Sequence, residues 1–99
     1  MGLDYQGLAD AQIRDPYITT CRDDPGGLVL QPVRFGETQI LCDISTGRPR
    51  PVVPEPFRRQ VFNTVHGLSH PSIRMTTKLV TQKFVWHSIR KDCHVWSRA

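Results

Sequence analysis

The sequence has few cysteines and no long hydrophobic run, and both shortages narrow the class of protein. No apolar stretch among the 99 residues approaches the roughly 20 residues that span a bilayer. The first residues, MGLDYQGLADAQ, lack the basic and apolar regions of a secretory signal. The three cysteines, Cys21, Cys42 and Cys93, are odd in number and widely spaced, which favours thiols over a disulfide framework. These features predict a soluble, intracellular protein with no membrane partner.

Carboxylates are scarce in the second half of the chain. Residues 48–99 hold ten Lys or Arg and only two acidic residues, Glu55 and Asp92, for a formal charge of +8, whereas residues 1–47 carry −4. Metal-assisted phosphoryl transfer needs clustered carboxylates, so we predict no catalytic residues, no small-molecule substrate and no enzyme activity. The basic half is typical of a polyanion binder, although solvated helix faces are also often basic.

The first half predicts one helix and a small sheet. Residues 4–14 place apolar side chains at helical spacing and end at Asp15-Pro16, since the residue before a proline leaves the helical region. After the turn cluster DDPGG come stretches rich in Val, Ile and Leu at 28–34, 38–44 and 50–54. We predict an antiparallel meander, with Pro32 favouring an edge position for its first strand.

The second half predicts three helices, because the period of its apolar residues changes from two to about 3.6. PEPFRRQVFNTVH predicts a helix of about ten residues with Pro56 in its first turn, and a second helix follows at about 71–82. KFVW at 83–86 is expected to be extended or a buried connection, and Ser88 is expected to cap the third helix. Five aromatic residues are predicted to form a core: Phe57, Phe62, Phe84, Trp86 and Trp96. The predicted fold class is α+β.

His66 and His70 form the one pattern typical of a metal site. Two imidazoles can supply two of the four ligands that zinc takes, although an isolated pair is more often two ordinary surface histidines. The surrounding sequence resembles the zinc-binding N-terminal domain of integrases from gypsy-class long-terminal-repeat retrotransposons. The resemblance is carried by these features: Val53-Pro54, a helix ending at His66, His70-Pro71, Phe84-x-Trp86 and the run Ile89 to Trp96. It covers about residues 38–99, and the part before it more weakly resembles the extension that precedes this domain.

The resemblance implies an N-terminal extension at 1–54 and an incomplete HHCC-type domain at 55–99, the latter similar to a helix-turn-helix bundle. In that family a Cys-x2-Cys pair completes the zinc site, and here it is expected just beyond Ala99. Zinc is therefore expected in the complete domain of the parent protein and absent or weakly bound in this chain.

The resemblance implies His66 and His70 as metal ligands. If metal binds this chain, Cys93 or His94 are makeshift partners, although Cys93 also lies on the apolar stripe of the third helix and fits a core role better. His87 can approach a metal, but no spacing requires it.

The resemblance implies the non-catalytic N-terminal part of a retroelement integrase, in a parent that performs DNA strand transfer. Expected partners are element-end DNA and further integrase copies, in a cytoplasmic particle and the nucleus. The candidate phosphate contacts are Arg48, Arg50, Arg58, Arg59, Arg74, Lys78, Lys83, Arg90, Lys91 and Arg98. Phosphate contacts give affinity without base choice, so the predicted binding is weak and salt-sensitive.

Two alternatives remain open. The first is a domesticated or remnant retroelement segment that acts as a protein-interaction module without zinc; the missing cysteine pair favours it, and the intact helix stripes and aromatic core oppose simple decay. The second is an unrelated basic helical DNA-binding domain. That reading requires a defined recognition helix, which the sequence does not display.

Overall fold

The computed structural model describes residues 3–67 and 72–98, and these ranges contain five helices and three strands. The elements follow one another as α1 (Tyr5–Arg14), α2 (Pro16–Asp23), β1 (Leu30–Phe35), β2 (Thr38–Asp43), β3 (Arg50–Pro51), α3 (Glu55–His66), α4 (Ile73–Lys83) and α5 (Ile89–Ser97). The predicted α+β class is confirmed. No helix within the described ranges is long and apolar enough to cross a membrane.

The first helix ends where the sequence predicted, but a second helix that was not predicted begins at once. Asp15 is the C-cap of α1 and also the N-cap of α2, where its carboxylate accepts a hydrogen bond from the Tyr17 N–H at 2.8 Å. Pro16 occupies the first turn of α2, where its missing N–H costs nothing. The Asp-Pro pair therefore ends one helix and starts the next.

The three strands form an antiparallel sheet in the order β1-β2-β3, so the predicted edge position of Pro32 is confirmed. A two-residue turn joins β1 and β2, and Gly36 supplies its left-handed backbone at a φ of 64°. β3 is shorter than the predicted 50–54. Beyond it, the Val53 N–H donates to the Val85 carbonyl at 3.0 Å. The predicted connection at 83–86 is confirmed in part: Phe84 is extended and Val85 and Trp86 are buried, whereas Lys83 belongs to α4 and is exposed.

The three helices of the second half are present, with small differences at their starts. Pro56 lies in the first turn of α3 as predicted. α4 begins at Ile73 with Ser72 as N-cap, so it starts later than predicted, and Pro71 lies outside the described residues. Ser88 precedes α5 as predicted, but its hydroxyl donates to the Asp92 carboxylate at 2.8 Å instead of accepting from a backbone N–H.

One main hydrophobic core includes side chains from both halves of the chain. Its fully buried members are Leu8, Ile40, Cys42, Val53, Val61, Phe62, Val80, Trp86, Ile89 and Cys93. Of the five predicted core aromatics, Phe62 and Trp86 are buried and the other three are half-buried against this cluster. The helices of the second half therefore pack on the sheet and on α1, and this packing fixes the surface that they present.

Candidate metal and nucleic-acid site

His66 is the last residue of α3, and its position suits a metal ligand. Its ring stacks on Phe62 with centroids 5.1 Å apart, and its Nδ1 lies 3.3 Å from the Thr76 hydroxyl oxygen on α4. A histidine that binds metal through one nitrogen commonly donates a hydrogen bond from the other. In the tautomer whose Nδ1 donates to Thr76, Nε2 is the nitrogen that would bind a metal.

The other predicted ligand, His70, lies outside the described residues. Across residues 3–67 and 72–98, no group of three or more His, Cys, Asp or Glu side chains could hold a metal ion. His66 is thus the one predicted ligand whose surroundings are visible, and the described residues fit zinc only in part.

Cys93 does not suit the role of a substitute ligand. Its side chain is fully buried in the main core. Burial, together with the nearby Asp92 carboxylate, raises the pKa of the Cys93 thiol to about 11, although Arg90 opposes the shift. Zinc binds the thiolate, so a raised pKa disfavours coordination. Cys93 fits the apolar core role that its helical spacing predicted.

A cation-lined cavity of about 650 Å³ lies between α4 and α5. Its lining residues are Ile73, Arg74, Thr77, Lys78, Thr81, Arg90 and His94. The two helices bring together three of the predicted phosphate contacts, and none of the described lining residues is acidic. Uncompensated positive charge in a cleft concentrates polyanions at the surface. Because His94 shares this cleft with three cations, zinc is electrostatically disfavoured there.

Four other predicted phosphate contacts of the bundle lie outside this cavity. Lys83, Lys91 and Arg98 are exposed. Arg59 is exposed too, and its guanidinium lies 5.3 Å from the centroid of the Trp96 ring. None of these four side chains lines the cavity between α4 and α5, so their contact with phosphate stays a prediction.

Arg58 is buried, with 7% of its surface exposed. Its Nε donates to the Val53 carbonyl at 3.1 Å, and its guanidinium lies between the rings of Tyr17 and Trp86 at 5.1 and 5.9 Å from their centroids. A phosphate cannot reach it in this position. The sequence carried a signal for this burial, since Arg58 precedes the core residue Phe62 by one helical turn.

Arg50 also has a structural position. One terminal nitrogen donates to the Asp43 carboxylate at 2.6 Å, and the other donates to the Thr81 carbonyl at 2.7 Å. Its charge is balanced by Asp43, and its side chain ties the sheet to α4. Neither partner was evident from the sequence, because residues 43, 50 and 81 share no local pattern.

Residues 53–99 match the family model described as the integrase zinc binding domain. The matched range begins at Val53 and includes α3, α4, α5 and the cation-lined cavity. No curated protein and no solved structure matched the chain. This part of the chain is therefore similar to the zinc-binding domain of integrases.

Proposed function

We propose that this chain is the non-catalytic N-terminal part of a gypsy-class retroelement integrase and that it binds element DNA and helps the integrase to multimerise in a cytoplasmic particle and the nucleus. The observation that carries the proposal is the cation-lined cavity between α4 and α5, which lies within the residues matched by the integrase family model. Strand transfer is assigned to a separate part of the parent protein.

The proposed contact is electrostatic. Arg74, Lys78 and Arg90 face one cleft with no described carboxylate among its lining residues, so they can contact successive phosphates of a duplex. Each phosphate neutralised on B-form DNA contributes about −0.9 to the slope of log Kobs against log salt, so three contacts give about −3. We expect little base preference, since phosphates carry no sequence information.

Fluorescence anisotropy with a labelled DNA duplex tests this proposal. We expect Arg74→Gln and Lys78→Gln each to weaken binding and to reduce the salt slope by about 1. Arg34→Gln is the matched control, because Arg34 is an exposed cation on β1 that does not line the cavity. Equal losses in all three variants, or binding that does not change with salt, contradict the proposal.

We further propose that His66 and His70 are two ligands of the zinc site of the complete domain. Bound zinc would cross-link its ligands and thereby stabilise the fold. The 99 residues contain no Cys-x2-Cys pair, so we expect zinc to bind this chain more weakly than micromolar. Competition titration with a chromophoric chelator measures the affinity, with His66→Ala and His70→Ala as paired variants. Micromolar or tighter binding contradicts the incomplete site.

We propose that two copies of the chain associate through exposed apolar side chains of the bundle, Met75 on α4 and Val95 on α5. Sedimentation equilibrium is expected to show weak dimerisation that Met75→Ser or Val95→Ser reduces. A chain that stays monomeric at high concentration contradicts this part of the proposal and leaves DNA binding untouched.

The zinc-independent interaction module remains a second candidate, favoured by the core that the bundle shares with the sheet and α1. It predicts no affinity for duplex DNA, which distinguishes it from the first proposal.

A further inference from the structure

Three neighbouring cavities follow one another from the bundle to Tyr5, and each shares a lining residue with the next. The first is the cavity between α4 and α5. The second, of about 380 Å³, is lined by Thr46, Arg48, Arg50, Thr81 and Gln82. The third, of about 230 Å³, is lined by Tyr5, Phe35, Arg48, Pro49, Pro51, Lys83 and Phe84. Thr81 lines the first two and Arg48 the last two, so we name the whole surface the basic–aromatic track.

The track is positively charged along its whole length. Five exposed cations line it: Arg48, Arg74, Lys78, Lys83 and Arg90. Arg50 contributes less, because Asp43 balances its charge at 2.6 Å. No described residue that lines any of the three cavities is an Asp or a Glu. Such a surface favours a polyanionic ligand.

One end of the track is aromatic. Tyr5 is 40% exposed, and its ring stacks on Phe35 with centroids 5.1 Å apart and planes inclined by 15°. Phe84 lines the same cavity. Duplex phosphates need no aromatic partner, since the bases are stacked on one another inside the helix. Unpaired bases do, and grooves for single strands combine cations with aromatic rings.

Local structure holds these residues in place. Tyr5 is the first residue of α1, whose N-cap Asp4 accepts a hydrogen bond from the Gly7 N–H at 3.0 Å. Arg48 follows Gly47, whose φ of 86° lets the chain turn between β2 and β3. Lys83 is the last residue of α4. The aromatic end is thus built from both halves of the chain.

We propose that the basic–aromatic track binds single-stranded nucleic acid, with its phosphates at the five cations and a base stacked on Tyr5. The inference rests on the proposed function for the cations between α4 and α5, and it goes beyond it in the class of ligand and in the use of residues 5–48. An acidic peptide matches the charge of the track but makes no use of the exposed tyrosine ring.

The test measures binding of the full chain to a labelled oligothymidylate of about ten nucleotides and, in parallel, to a DNA duplex. We expect Tyr5→Leu to weaken oligothymidylate binding at least about fivefold, the lower limit for one base–aromatic stack, with duplex affinity unchanged. Arg48→Gln and Lys83→Gln are each expected to reduce the oligothymidylate salt slope by about 0.7. Ile13→Ala, at an exposed position of the same helix, and Arg34→Gln are the matched controls.

Tyr5→Phe keeps the ring and is expected to bind oligothymidylate like the wild type, which supports stacking even where Tyr5→Leu lowers the thermal midpoint. Tyr5→Leu with unchanged oligothymidylate affinity overturns the inference, as does an equal loss on the duplex. In both cases a duplex loss in Arg74→Gln leaves the proposed function intact. Polyglutamate that competes as well as oligothymidylate identifies the ligand as an acidic peptide and also overturns the inference.

Discussion

Replacing Asp43 with Asn is expected to destabilise the fold more than any exposed charge change, because this carboxylate is fully buried and accepts four hydrogen bonds. One oxygen accepts from the backbone N–H groups of Val29 and Ser45 at 2.9 and 3.0 Å. The other accepts from the Ser45 hydroxyl at 2.8 Å and from Arg50 at 2.6 Å. An amide of the same shape would point a donor at one of these donor pairs and leave Arg50 without a counter-charge.

The magnitude follows from two observations. Burial by itself raises the pKa of Asp43, but the hydrogen bonds from Arg50, Val29 and Ser45 outweigh it and lower the pKa from 3.8 to about 2. At 1.36 kcal/mol per pKa unit, that shift is worth about 2 kcal/mol of folding free energy at neutral pH. Breaking a buried pair costs about 3 to 5 kcal/mol, and the 16% exposure of the Arg50 side chain favours the lower end. We expect Asp43→Asn to lose about 2 to 3 kcal/mol.

Urea unfolding at pH 7, followed by tryptophan fluorescence, measures this loss. Asp24→Asn is the matched control, because Asp24 is exposed and its substitution should change the free energy of unfolding by no more than about 0.5 kcal/mol. The pH dependence has a fixed sign. Since the folded pKa lies below the unfolded value, the contribution of Asp43 is complete above about pH 5 and is lost as the pH falls toward 2. A loss below about 0.5 kcal/mol, or a difference from the wild type that grows on acidification, would refute the reasoning.

Three further predictions concern buried side chains. Gln12 bridges β2 and the chain after β3 through three hydrogen bonds of 2.7 to 3.0 Å. Gln12→Leu should therefore lower the free energy of unfolding by about 2 to 4 kcal/mol in urea titration. A loss no larger than that of Gln60→Leu, at an exposed position, would contradict this. Arg58→Met should cost less than about 1.5 kcal/mol, because one terminal nitrogen of Arg58 is already buried without a hydrogen-bond partner among the described residues. Arg58→Ala should cost more, because it leaves a void beside the rings of Tyr17 and Trp86. Burial raises the pKa of Cys42 and of Cys93 to about 11. Both thiols should therefore react with a thiol reagent at pH 8 only on the timescale of unfolding. Mass spectrometry that finds either thiol modified in the folded chain would contradict their burial in the core.

Helices with a continuous apolar stripe were predictable from the sequence, and helices defined by their caps were not. α3 presents the stripe of Phe57, Val61 and Val65 over three turns, and the structure buries or half-buries all of these residues. α2 has only eight residues and turns just Ile18 and Cys21 inward, so its periodicity is too short to detect. Its signal was chemical, the Asp-Pro start, which sequence reasoning used only as the end of α1.

The basic character of the candidate site was predictable, but the position of each cation was not. Composition identifies the excess of Lys and Arg in residues 48–99, yet it cannot separate Arg58, which is buried between rings, from Arg74, which lines an open cleft. The aromatic end of the track depends on contacts between Tyr5 and residues more than 25 positions away, such as Phe35. Such contacts are created by tertiary folding and leave no local pattern.

The packing between the two halves bears on what zinc would do. A bundle the size of residues 53–99 has little apolar surface to bury by itself, and domains of this size usually depend on a metal or a partner for stability. Here Leu8, Ile40 and Cys42 from the preceding residues fill the same core as the helices, so part of that stabilisation is supplied by the chain itself. Since His66 terminates α3 and contacts Thr76 of α4, we infer that zinc would act mainly on the connection between these two helices. The shared core and the sheet would then stay folded when the metal is removed.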